Sequence, residues 1–97
     1  MRMLIDEARV RLDVHVQQSK IELADSTALT VSEFVDGWLF VASTPGVLGG
    51  RYFVVMDDGA VHHEVGSLPP QWFVAKYSRD GEDVSIKVIV DERKPFR

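Results

Sequence analysis

The sequence predicts an α+β domain: an antiparallel sheet of about four to five strands with two helices packed on one face. Three observations support this prediction, namely an amphipathic segment at the start, a hairpin signal near the middle, and a later helical segment that two prolines introduce. The chain has 97 residues, of which 45% are hydrophobic, so one core and a single domain over residues 1–97 are expected.

Residues 4–18 are predicted to form the first helix. Apolar side chains recur every four residues along this segment, and Asp6 and Glu7 supply the negative charge that a first helical turn favours. Apolar residues also alternate from position 10 to position 16, as they would in a strand, so the periodicity alone does not exclude a strand.

Residues 30–43 are rich in Val, Phe and Trp, which predicts strand structure in two pieces bent at Asp36 and Gly37. Both faces are apolar from position 38 to position 41, which indicates a strand that is covered on both sides or lies near the sheet centre. The glycine-rich residues 44–51 should form a loop. Alternating apolar residues predict a last strand over 84–90, followed by an unpaired, charged tail.

Asp58 and Gly59 separate two apolar runs and are typical of a two-residue type I′ hairpin turn. Such a turn would place Met56 opposite Val61. The face expected to pack on the core then carries Tyr52, Val54, Met56, Val61, His63 and Val65. The face expected to meet solvent carries Phe53, Val55, Asp57, Ala60, His62 and Glu64.

A second helix is predicted over about 68–78. Ser67 is the expected N-cap, and the prolines at 69 and 70 fall in the first turn, where a missing N–H costs little. Phe73 and Tyr77 are four residues apart and should share the face that packs on the sheet.

Charge is unevenly distributed along the chain. Residues 21–75 hold seven acids and one base, a balance of −6 within a net charge of −4. Phosphate binding needs clustered Lys and Arg, so this pattern argues against nucleic acid and favours a basic protein partner, although solubility alone would also explain it. There is no cysteine and no apolar run long enough for a membrane span or signal peptide, so a cytoplasmic protein is expected.

The candidate chemical groups are not predicted to assemble into a catalytic or metal site. His62 and His63 are adjacent on a strand and therefore point to opposite faces, so they should not chelate one ion. Asp57 and Asp58 lie at a hairpin tip, which offers no cleft for acid–base chemistry. We therefore expect no enzyme activity, no metal and no cofactor.

Two short blocks resemble the immunity protein 35 family of bacteria. The first is EFVDGWLF at 33–40, and the second is FVVMDDGAVHHEVGS at 53–67, which the Pro-Pro-x-aromatic segment up to Tyr77 continues. The predicted first helix is also similar to the opening helix of that family. The resemblance covers about residues 4–79 and implies a protein that neutralises a toxin, with the Gly37-Trp38 pair as a core element and no catalytic residues.

The predicted function is that of a bacterial immunity protein that binds a cognate, basic toxin and occludes it. The expected contact residues are Glu33, Asp36, Arg51, Asp57, Asp58, His62, Glu64 and Trp72. One alternative is a housekeeping, chaperone-like binding protein that exposes Phe53, Val55 and Trp72. A less favoured alternative is a small enzyme that uses His62 with Glu64.

Overall fold

The computed structural model describes residues 3–21, 28–43, 46, 49–67 and 69–95. Within them lie two helices, α1 (Ile5–Gln18) and α2 (Pro70–Ala75), and a 3₁₀ turn (Gly81–Asp83). The strands are β1 (Ala28–Phe34), β2 (Gly37–Ser43), β3 (Gly50–Met56), β4 (Val61–Gly66) and β5 (Lys87–Pro95).

The five strands form one antiparallel sheet in the order β4-β3-β2-β1-β5. The first four strands follow one another as hairpins, and the chain then returns after α2 to add β5 beside β1. This arrangement confirms the predicted α+β class, the antiparallel sheet and the N-terminal helix.

The two helices pack on opposite faces of the sheet, so the prediction that they share one face is wrong. Leu12 and Val16 of α1 pack on one face with Phe40 and Phe53. Phe73 of α2 packs on the other face in a separate cluster. The reason is that β2 and β3 alternate apolar residues on both sides, and each side must be removed from water.

Trp38 ties the start of α1 to the sheet. Its indole Nε1 donates a buried hydrogen bond of 2.9 Å to the carbonyl oxygen of Met3, and the Met3 N–H donates to Oδ1 of Asp57 at 3.2 Å. Gly37 is needed beside it because a Cβ at that position would collide with the carbonyl oxygen of Val55. The Gly37-Trp38 pair therefore lies in the core.

The β3–β4 hairpin differs from its prediction by one residue. Val61 pairs with Val55 rather than with Met56. Met56 accepts from the Gly59 N–H at 2.9 Å and donates to Ala60 at 2.8 Å, and Gly59 has φ +97, which describes a three-residue loop with a bulge glycine.

This change of register also changes both predicted faces of the hairpin. The face with α1 carries Phe53, Val55, Val61 and His63, and the face with α2 carries Tyr52, Val54, Met56, His62 and Glu64. Neither face is a solvent face, since Phe53 and Val55 are as fully buried as Val54.

The boundaries of other helices and strands also differ from their predictions. The bend predicted at Asp36 and Gly37 is a tight hairpin between β1 and β2. Helix α2 starts at Pro70 with Pro69 at the N-cap, so Ser67 does not cap it. The last strand begins at Lys87 and continues to Pro95, so the tail expected to be unpaired forms most of β5. Residues 44, 45, 47 and 48 of the predicted loop lie outside the described part.

We expect Trp38→Phe to lower the free energy of unfolding by about 1–3 kcal/mol, because it leaves the buried Met3 carbonyl without its donor. Urea denaturation followed by circular dichroism measures the change. Trp72→Phe is the matched control, since Trp72 is 57% exposed, and it should change stability by less than about 0.5 kcal/mol. Equal effects of the two substitutions would contradict this account of Trp38.

Candidate functional site

A polar cluster joins β4 to the end of α2. The carboxylate of Glu64 accepts from Nζ of Lys76 at 2.7 Å and 3.0 Å and from the hydroxyl of Tyr77 at 3.1 Å. The ring of His62 stacks on Tyr77, with 4.0 Å between the ring centroids. The prediction that His62 and Glu64 share one face is therefore correct, but both are held by Lys76 and Tyr77, which directly follow α2.

The ionisation of this cluster favours the charged pair. The hydrogen bond from Lys76 lowers the pKa of Glu64, and the same bond raises the pKa of Lys76. Burial and the hydrogen bond to Glu64 raise the pKa of Tyr77, so the phenol keeps its proton. The arrangement is a hydrogen-bonded network around a charged carboxylate that Lys76 and Tyr77 engage, rather than a free general base.

A second polar contact joins the β1–β2 turn to the segment after α2. Asp36 accepts from the Arg79 backbone N–H at 2.7 Å and from Arg79 Nε at 2.8 Å, and Arg79 Nη2 lies 2.6 Å from Asp36 Oδ1. This fork raises the pKa of Arg79. The backbone N–H of Asp57 donates to the carbonyl of Asp36 at 2.8 Å, so Asp36 and Asp57 meet at one end of the sheet.

A histidine cluster lies on the α1 face. The ring of His63 stacks on Phe53 with centroids 4.7 Å apart, and the ring of His15 lies edge-on, 6.5 Å away. Arg51 Nη1 is 3.3 Å from Nε2 of His63 and must be the donor, so the neutral ring is the acceptor. Burial, and then the charges of Arg51 and His15, lower the pKa of His63.

The remaining predicted contact residues are spread over the surface. Asp58 accepts from the Ala60 N–H within its own turn, at 2.9 Å. Glu33 lies on β1 opposite Lys87 of β5. Trp72 is exposed on α2, where it lines a shallow depression of about 180 Å³ with Gln71, Ala75 and Glu82. The predicted set therefore forms several small groups rather than one site.

Sequence reasoning missed the bases that complete these groups. Lys76 and Arg79 lie outside the acidic stretch, yet they neutralise two of its acids, Glu64 and Asp36. The prediction that Tyr77 packs on the sheet places the neighbouring Lys76 near the sheet, but the predicted register puts Glu64 on the face expected to meet solvent, so the pair is not predicted.

Among the described residues, no group of three or more His, Asp or Glu side chains could hold a metal ion. None of the helices in the same part of the chain has the length and apolar content that crossing a membrane requires. Comparisons with family models, with curated proteins and with solved structures found no match to this chain.

We expect the protein to lose stability as the pH falls below 6.5, the ordinary value for the His63 side chain. The folded state lowers the pKa of His63, so the contribution of this group is complete above the unfolded pKa and is lost as the pH falls through the folded pKa. Urea unfolding at about pH 7.5 and about pH 5 measures the loss, which His63→Gln should reduce. An unchanged pH dependence in that variant would contradict the assignment.

We expect Asp36→Ala to destabilise the fold more than Arg79→Ala does. The first change removes both halves of the contact, whereas the second keeps the hydrogen bond from the Arg79 backbone N–H to Asp36. The cost of Asp36→Ala should be about 1–2 kcal/mol in urea unfolding. Equal costs would mean that the backbone hydrogen bond contributes nothing.

Proposed function

We propose that this chain is a bacterial immunity protein that binds a cognate, basic toxin and neutralises it by occlusion. The observation that carries the proposal is Trp72, a large aromatic side chain that remains 57% exposed although both faces of the sheet are covered. Tryptophan is enriched at the centres of protein interfaces, where its burial accounts for much of the binding energy.

The surroundings of Trp72 favour a basic partner. Glu82 lines the same depression, and Gln71 Nε2 donates to the Glu82 carbonyl at 3.0 Å, which holds the 3₁₀ turn against α2. Glu82 and Asp83 are both exposed in that turn. Acids at the rim of an aromatic contact accelerate the association of a positively charged protein and restrict the choice of partner.

The polar contacts also support a binding role. Asp36 and Glu64 form ion pairs with Arg79 and Lys76, which fix the segments on either side of Trp72 in sequence. A rigid surface loses less conformational entropy on binding, so the same side chains favour affinity without touching the toxin. The motif blocks at 33–40 and 53–67 point to the same class of protein.

The two alternatives have less support. A chaperone-like protein would need Phe53 and Val55 at the surface, and both are fully buried. An enzyme that uses His62 with Glu64 would need that pair open to substrate, and both side chains are engaged by Lys76 or Tyr77.

Binding to the product of the neighbouring gene tests the proposal. We expect that product to be a toxin that this chain binds, and Trp72→Ala to raise the dissociation constant by the equivalent of about 2 kcal/mol or more. Leu4→Ala is the control, because Leu4 is 72% exposed next to α1 and on the opposite face. Calorimetry or biolayer interferometry gives the constants.

The charge contribution is tested separately. Glu82→Gln should lower the association rate at low salt and leave the dissociation rate nearly unchanged. The proposal is overturned if the neighbouring product is not a toxin and does not bind, or if Leu4→Ala weakens binding as much as Trp72→Ala does.

A further inference from the structure

We infer that β4 is a dimerisation edge, at which two copies of this chain pair antiparallel about His63 and join their sheets into one continuous sheet. The inference concerns the chain alone and does not depend on a toxin. It rests on an unprotected edge strand, a self-complementary sequence on that strand, and a groove beside it that α1 lines.

The two edges of the sheet differ in their protection against further pairing. β5 contains Lys87 and Pro95, and its pairing with β1 has two irregularities, all of which discourage another strand. β4 reads VHHEVG, without Lys, Arg or Pro, and its register with β3 is regular. In the described part of the chain, no strand pairs with the outer side of β4.

The backbone N–H and C=O groups of β4 that would form this pairing point away from β3. Ala60 accepts from the Met56 N–H at 2.8 Å, so the even-numbered residues that follow it direct their backbone groups towards β3. Val61, His63 and Val65 therefore direct theirs outward. A register with His63 opposite the His63 of a second copy pairs Val61 with Val65 of that copy, and all three pairs present free N–H and C=O groups.

The side chains are complementary in the same register. On the α2 face, His62 of each copy lies opposite Glu64 of the other, whose Oε2 accepts one hydrogen bond within the chain, from Lys76, and keeps a lone pair that can accept from the imidazole. On the α1 face, Val61 covers Val65, which is 66% exposed in one chain. The two His63 rings meet on the axis in the neutral form that burial and Arg51 favour.

Helix α1 extends the interface. A groove of about 520 Å³ lies between α1 and the start of β4, and both polar and apolar residues line it, among them Glu7, Val10, Arg11, Val14, His15, Gln18 and Val61. The helix residues are three or four apart and form one stripe, in which Val10 is 63% exposed. The twofold axis of an antiparallel strand pair is perpendicular to the sheet, so both α1 helices lie on one face and turn these stripes towards each other.

Sedimentation of the purified chain over a range of concentrations tests the inference. We expect a monomer–dimer equilibrium, and Val65→Lys should raise the dimer dissociation constant at least about tenfold without loss of fold by circular dichroism. Val88→Lys on β5 is the matched control, since Val88 is 58% exposed on the other edge, and it should leave the constant unchanged.

Crosslinking provides an independent measurement. The chain has no cysteine, so His63→Cys introduces a single thiol on the twofold axis. Residues that face each other in such a pair are about 5.5 Å apart between Cα atoms, which a disulfide spans. Mild oxidation should crosslink this variant much faster than Val88→Cys.

A chain that is monomeric at every concentration overturns the inference. This holds even if β4 then pairs with a strand of another protein. It is also overturned by a dimer that Val65→Lys leaves intact, or by crosslinking at position 88 that is as fast as at position 63.

Discussion

The apolar character of β2 and β3 on both sides is the constraint on which the rest of the structure depends. Phe40 and Phe53 face α1, whereas Leu39 and Val54 face α2, and all four are fully buried. Burial of such side chains stabilises a fold by about 1.5–3 kcal/mol each, so neither face can remain open to water. One helix before the sheet and one after β4 supply the two covers.

The sequence predicts the elements better than it predicts their arrangement. The four-residue period of α1 and the two prolines at the start of α2 are local signals, and they predict both helices. The side of the sheet on which each helix packs depends on contacts between distant residues. The apolar run from 38 to 41 carried that information, since a strand covered on both sides requires a second layer.

A shift of one residue in the register of the β3–β4 hairpin changes which side chains meet at the candidate site. Asp58 and Gly59 fit two turn types, and only the backbone shows that Gly59 acts as a bulge residue. Because side chains alternate, the shift moved the partner of His62 from Val55 to Val54. The acidic residues of 21–75 do not form the site by themselves either. Lys76 and Arg79 follow them in the sequence and form ion pairs with Glu64 and Asp36.

The surface around Trp72 and the edge at β4 lie on different sides of α2. Trp72 is directed towards Glu82 and the 3₁₀ turn, whereas Lys76 and Tyr77 reach from the end of α2 to β4. Two copies joined through β4 would therefore keep both Trp72 surfaces accessible and on the same face of the extended sheet. A partner that contains two copies of its own binding surface would then gain affinity from the pair, because the second contact forms within one complex. The polar contacts at Asp36 and Glu64 hold the segment after α2 against the sheet.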